Sequence, residues 1–199
     1  MRLNDVGHAF EADHYLFRNL TVDLLPGRTY ALTGPSGSGK STLLGMLAGW
    51  TTPTAGTIVR APGLKTSWVF QNPHGVASRT ALDHVVFPLV SAGMTRRNAE
   101  PVAQEYLESF GLSDVARRRF SELSGGEAQR LMLARGIASS PALLLVDEPT
   151  AQLDQTMAKV VNTHLEGLRA ESTVIVIATH DERTVSSCTD IIDLRELQR

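Results

Sequence analysis

Glycine, lysine and serine come together in one short stretch at a spacing that suits an anion. Residues 34–41 are Gly34, Pro35, Ser36, Gly37, Ser38, Gly39, Lys40 and Ser41. They fit G-x-x-x-x-G-K-[ST], the phosphate-binding P-loop. Glycines let the backbone bend so that consecutive N–H groups converge on one concavity. A following helix adds unsatisfied N–H groups and about half a positive charge at its N-terminus. Lys40 can then reach the β- and γ-phosphates, the Ser41 hydroxyl can ligate Mg²⁺, and Thr42 continues the first turn. Packing does not explain a Lys-Ser pair after the last glycine, so the stretch predicts a site for a nucleoside triphosphate.

Other residues could complete such a site. The apolar run 143–146 ends in Asp147 and Glu148, and two adjacent carboxylates at a buried strand end are costly unless they are used. Beside a P-loop the first can hold Mg²⁺ and the second can take a proton from attacking water. Gln71 follows the apolar run 66–70, and His180 follows 173–179. Ligand sites of parallel α/β sheets gather at such strand ends. Gln71 is thus a candidate Mg²⁺ ligand or water-orienting group, and His180 a candidate γ-phosphate contact, although an isolated histidine is more often structural. Phe10, 24 residues before Gly34, is a candidate for stacking on a base. A core position is the alternative for Phe10, and Tyr15 is its nearest rival.

Residues 123–130, LSGGEAQR, open a helix running to about Ala138. Ser124 and Glu127 have capping-box spacing, and a capped helix is the plain reading. Gly125 and Gly126 argue for more. Each costs about 1 kcal/mol relative to alanine inside a helix, but glycine lets backbone N–H groups approach an anion closely. The chain therefore carries a second phosphate-binding device.

These residues need elements to position them. Residues 29–33 read as the strand before the P-loop, and 41–48 as the first turns of the helix after it. Residues 20–25 alternate, and Pro26 and Gly27 turn the chain toward the P-loop strand. Further strands are expected over 56–60, 66–70, 143–146, 173–179 and 191–194. From Asn72 to Arg119 the prolines at 73, 88 and 101, with Gly75 and Gly93, punctuate helical pieces. Val102, Tyr106, Leu107 and Phe110 keep helical spacing up to Gly111, with Pro101 in the first turn or at a kink. An amphipathic helix is expected over 155–170, after Asp154 on a loop.

Composition sets the outer bounds. The chain has 199 residues, 42% hydrophobic and 20% charged, which suits one domain able to bury a core. A formal net charge of −2 draws it to no nucleic acid. The short run Arg117, Arg118 and Arg119 reads as a solvated helix end. Cys188 is alone, so it forms no disulfide framework or zinc spacing and fits a reducing cytoplasm as an idle thiol. No apolar run approaches the roughly 18 residues that would span a bilayer, and residues 1–5 lack a signal-peptide pattern. A soluble intracellular protein is expected, with any membrane role reached through a partner.

In this order the motifs resemble the nucleotide-binding domain of an ABC transporter. The resemblance covers almost the whole chain: GPSGSGKS, Gln71, LSGGEAQR, LLLVDE, AQLD at 151–154, and Thr179 with His180. A P-loop alone would leave kinases, GTPases and helicases open, and LSGGEAQR closes most of those readings. The resemblance implies an α/β fold, a P-loop NTPase core with a mostly parallel sheet, an N-terminal antiparallel β part and a small helical lobe. Residues 1–199 would form one ABC ATPase domain, with the core over 1–71 and 141–199 and the lobe over about 72–140. Phe10 would stack on adenine, where the family more often has tyrosine. Gln71 would touch Mg²⁺ and relay contact with a membrane subunit. Asp147 would be the Mg²⁺ carboxylate, Glu148 the general base and His180 the switch at the γ-phosphate.

The resemblance also implies a partner. Two ATPase subunits would close head to tail, so that Ser124, Gly125, Gly126 and Gln129 of one cap the ATP on the P-loop of the other, with Asp154 at the crossing loop. Residues 80–89 with Ala92, Gly93 and Met94 resemble the subgroup that powers lipoprotein release, macrolide and peptide efflux, haem efflux and division-associated permeases. The expected protein is an ATPase using ATP and Mg²⁺, held on the cytoplasmic face of the membrane by an integral permease and serving export or extraction of an amphiphile. A regulator acting on a membrane partner by the same closure, and a soluble ABC ATPase of DNA repair or translation, are the other readings. The latter typically has a coiled-coil insertion or two nucleotide-binding domains in one chain, which this sequence lacks.

Overall fold

Two β-sheets share one core, and the alternation of apolar residues decides which side each strand serves. The computed structural model describes residues 1–11, 14–148, 163–164, 166–168 and 172–197. In the first sheet, β1 (Arg2–Glu11) lies between β2 (His14–Asp23) and β4 (Ala55–Val59), antiparallel to both. The second sheet is parallel, in the order β5 (Thr66–Val69), β6 (Leu143–Asp147), β7 (Val174–Ala178), β3 (Thr29–Thr33) and β8 (Asp190–Asp193).

Every residue of β6 and β7 is buried, as expected of parallel strands covered on both faces. Leu144, Val146, Ile175 and Ile177 enter one apolar cluster with the helices α2 (Ala81–Ser91), α3 (Arg96–Ser109) and α4 (Gly125–Ala138). Leu143, Leu145, Val174 and Val176 enter the other, with Leu43, Leu44 and Leu47 of α1 (Lys40–Ala48) and with Leu3, Val6 and Phe17 of the antiparallel sheet. Helix α4 crosses β5 so closely that a Cβ on Gly136 would lie 2.8 Å from Val69 Cγ2. A short helix, α5 (Glu182–Ser187), links β7 to β8.

Helices α2, α3 and α4 start where threonine or serine offers a cap. Thr80 and Ser124 form capping boxes with Asp83 and Glu127, and Thr95 accepts from Asn98 N. The Thr95 cap moves one boundary: the helix expected around Val102 to Phe110 begins at Arg96, so Pro101 sits in its second turn and not its first. Of the three arginines expected at a solvated helix end, Arg117 and Arg118 lie exposed after a 3₁₀ segment (Ser113–Val115), while Arg119 bridges to Thr80 and caps the 3₁₀ segment Phe120–Glu122, its N–H donating to Glu122 Oε2. Among the described residues no helix is long and apolar enough to cross a membrane.

The loop that leads from Gln71 to α2 is held by one histidine. His84, 5% exposed, accepts from Val76 N through Nε2 (2.9 Å) and donates through Nδ1 to Thr80 O (2.7 Å). Burial holds its pKa below the ordinary histidine value, and the cations Arg135 and Arg79 push the same way against Thr80 O and Asp83. A histidine with a depressed folded pKa contributes fully above its unfolded value, near 6.5, and loses that contribution as pH falls below it. His164, half-buried and stacked on Phe110, has the same sign. Urea unfolding at pH 7.5 and 5.5 is expected to show a clear loss of stability at the lower pH. In His84→Gln, which keeps an acceptor but cannot titrate, that loss should be smaller.

Candidate functional site

Parallel strands put their carboxyl ends on one edge, and four adjacent ones carry the chemistry. In spatial order these are β5 leading to Gln71, β6 ending in Asp147 and Glu148, β7 leading to His180, and β3 leading into residues 34–39. Their side chains, with Phe10 and Leu16 of the antiparallel sheet, line one open cleft of about 580 Å³. Gly34, Pro35, Ser36, Gly37, Gly39, Lys40, Ser41 and Thr42 form its floor.

The floor is built to leave N–H groups unclaimed. Gly39 is the N-cap of α1 with φ 96°, in the left-handed region, and a Cβ there would lie 3.0 Å from the Phe17 ring. Only glycine meets both conditions. No side chain caps α1 and its first turn holds no acidic residue, whereas Thr80, Thr95 and Ser124 cap the other long helices. An uncapped helix start opening on a cleft is an anion site. The Lys40 ammonium spans the loop mouth, donating to Gly34 O (2.8 Å) and Pro35 O (3.2 Å). Ser38 is the exception among the loop residues. It is 1% exposed and lies beneath the loop, its N–H donating to Pro35 O, so it supports the cleft and does not line it.

The acidic wall is tense. Asp147 is 7% exposed and accepts from the Ser41 hydroxyl at 2.8 Å. Burial pushes its pKa above the ordinary aspartate value, the Ser41 bond opposes this, Glu148 adds to it and Lys40 opposes it. Glu148 has φ 49°, an uncommon conformation for a non-glycine residue. Its N–H donates to Ala178 O (2.9 Å), which fixes it to β7. His180 Nδ1, on a largely exposed ring, lies 2.8 Å from Glu148 Oε2. The Ser41 hydroxyl, Asp147 carboxylate and Gln71 amide together offer oxygen donors only, the set that Mg²⁺ prefers. Among the described residues no three His, Cys, Asp or Glu side chains form a metal cage.

The residues 124–129 are not in this cleft. Ser124 and Gly125 lie exposed at the start of α4, and the capping box is real: Glu127 Oε2 accepts from Ser124 N (2.7 Å) and Oγ (2.8 Å). Gly126 has no internal reason to be glycine, because a Cβ there would meet only Arg130 Nη1 at 3.7 Å. Gln129 corrects the expectation that it reaches a partner's nucleotide. It sits beyond the first turn of α4 and is 3% exposed, so in the single chain it is buried and is not presented with Ser124 and Gly125. Asp154 lies outside the described residues. Tyr15 pairs with Ala9 across the β1–β2 ladder and is absent from the cleft lining, while Phe10, 74% exposed, is part of it. Leu16 went unnoticed in the sequence, since a single leucine on an edge strand carries no chemical signal.

Comparison with known proteins gives this geometry a family. The family model described as "ABC transporter" matches residues 17–151. The lipoprotein-releasing system ATP-binding protein LolD of Anaplasma marginale is 39% identical over 188 residues, covering 86% of this chain and 84% of that protein. LolD of Chromohalobacter salexigens is 38% identical over 179 residues, covering 81% and 75%. The dimeric post-hydrolysis structure of the ATP-binding cassette MJ0796, bound to ADP and Pi, superposes with a TM-score of 0.84 at 28% identity, covering 96% of this chain and 93% of that one. The chain belongs to the ABC transporter family, as an ATP-binding and ATP-hydrolysing subunit.

Proposed function

We propose that two copies of this chain close head to tail on ATP and drive a separate integral membrane permease that extracts or expels an amphiphile. Lipoprotein release is the parallel that the names of its relatives carry; haem, macrolide and peptide are the other amphiphiles this reading covers. The observation that carries the reading is the convergence of the P-loop, Asp147, Glu148, His180 and Gln71 on one cleft.

In this reading the free N–H groups at the start of α1 and the loop hold the phosphates, and Lys40 turns from the loop carbonyls toward them. Phe10 stacks on adenine. Ser41, Asp147 and Gln71 hold Mg²⁺, which neutralises phosphate charge when bound. Glu148, fixed by its N–H to β7, takes the proton of attacking water, and His180 bridges Glu148 to the γ-phosphate. Ser124, Gly125 and Gly126 cap the ATP held by the partner copy. Loss of the γ-phosphate removes contacts that exist only in the closed pair, and this differential binding reopens it.

In this reading the permease docks on a mostly apolar groove lined by Val76, Val86, Phe87 and Val90, with Arg79, Asp83, Arg96 and Arg135 at its side. Phe87 is 65% exposed and Val76 58%, more apolar surface than a solvated helix face needs. The chain would thereby sit at the cytoplasmic face of the membrane as a peripheral subunit.

Three measurements test these assignments. Glu148→Gln is expected to bind ATP with little change, lower turnover about 10²-fold or more, and accumulate a dimer on gel filtration; undiminished hydrolysis would remove Glu148 from the base role. Gly126→Ala should raise the unfolding free energy of the subunit by up to about 1 kcal/mol while lowering ATPase activity at least about tenfold. A variant both more stable and fully active would refute capping across the seam. Phe87→Glu should abolish most co-purification with a co-expressed permease, and normal complex yield would move the docking surface elsewhere.

A further inference from the structure

His8 is buried without a polar reason to be there. It is 6% exposed, and neither ring nitrogen has a hydrogen-bond partner among the described residues. An imidazole without hydrogen bonds is an unfavourable thing to bury, so its ring must be held for its shape. The ring lies 4.9 Å from that of Phe10, with planes at 89°, the preferred edge-to-face arrangement. The two residues are two apart on β1, and the ring contact, not strand alternation, is what joins them across a register that shifts on both sides of Ala9. Across the ladder His8 pairs in register with Phe17, which is fully buried and stands against Gly39 at the base of the P-loop. A connected line thus runs from Gly39 through Phe17 and His8 to Phe10, from the phosphate end of the cleft to its far wall.

Phe10 itself is 74% exposed, and His8 supplies its ring contact among the described residues. An exposed phenylalanine samples several rotamers, and fixing one of them on binding weakens affinity. A neighbour immobilised by burial and set perpendicular to the ring removes that freedom in advance.

We propose that His8 is a positioning residue for the nucleotide base: its buried imidazole sets the plane of Phe10, so that the exposed face of Phe10 is already presented to adenine. This rests on the reading of Phe10 as the base-stacking residue. The test is calorimetric titration of the intact chain with ADP, and with inorganic pyrophosphate as the base-free probe. His8→Ala is expected to weaken ADP by about three- to tenfold and to leave pyrophosphate within twofold. His8→Phe, which keeps a ring, should bind ADP as the wild type does, whereas His8→Leu, which only fills the volume, should behave as His8→Ala. In a Phe10→Ala background His8→Ala should change ADP affinity no further.

An unchanged ADP affinity in His8→Ala overturns the proposal. So does an equal loss toward pyrophosphate, or a full additional loss in the Phe10→Ala background, since either marks a general structural role. If Phe10→Ala itself binds ADP as tightly as the wild type, the stacking role of Phe10 fails first and the role of His8 falls with it. Should His8→Ala not fold, the comparison of His8→Leu with His8→Phe decides the question alone.

Discussion

Everything at the cleft depends on a parallel sheet that is buried on both faces. Because β6 and β7 are covered on each side, their side chains are committed alternately to two cores and none is left over for catalysis along the strand. Polar chemistry is forced to the ends. Since the strands run the same way, the carboxyl ends of β5, β6, β7 and β3 meet on one edge, and Gln71, the Asp147–Glu148 pair, His180 and the P-loop become neighbours although they are far apart in sequence. The hydrogen bond from Ser41 to Asp147 closes this edge, tying the first turn of α1 to the end of β6.

The edge is held at the expense of local comfort. Asp147 is buried with its pKa raised, Glu148 holds a left-handed backbone, and α1 begins without a side-chain cap. Each departs from what stability alone would select, and together they define the cleft floor and its acidic wall. The framework that tolerates them is ordinary by comparison: three helices start at serine or threonine caps, and Leu, Ile and Val fill both cores. Glu148 shares its positive φ with Asp5, Asn19, Ser140 and Ser172; what sets this edge apart is that a buried carboxylate, a strained backbone and an uncapped helix start occur together, as expected where binding supplies what folding does not.

Much of this was legible in the residues because the signals are local. A P-loop, an apolar run ending in two carboxylates and a capping box each fit within a few residues, and the strands at 29–33, 143–147 and 174–178 follow from apolar runs between turn residues. What was hidden depends on register or facing. The β1–β2 ladder shifts repeatedly between Leu3 and Glu11, and Asp5 has φ 47°, so simple alternation could not say whether Phe10 or Tyr15 faces the cleft. Gln129 looked like a continuation of the signature because it follows it closely, but in the single chain it is buried. The start of α3 at Arg96 was masked by Pro101, which suggested a boundary where the helix continues through with one backbone donor fewer.

The contrast between Gly39 and Gly126 bears on where the working site is completed. Gly39 answers to the chain itself: its φ and the Phe17 ring admit nothing larger. Among the described residues nothing requires glycine at Gly126, since a Cβ there meets only ordinary contact and alanine would favour the helix. A residue that weakens its own helix without internal cause is explained by a surface that approaches from outside. The first-turn backbone of α4, exposed beside a capping box that already engages Ser124, is the part of this chain that such a surface would meet. Under the proposed head-to-tail closure, the open side of the cleft and this helix start would be complementary halves, which a single copy carries but would not bring together.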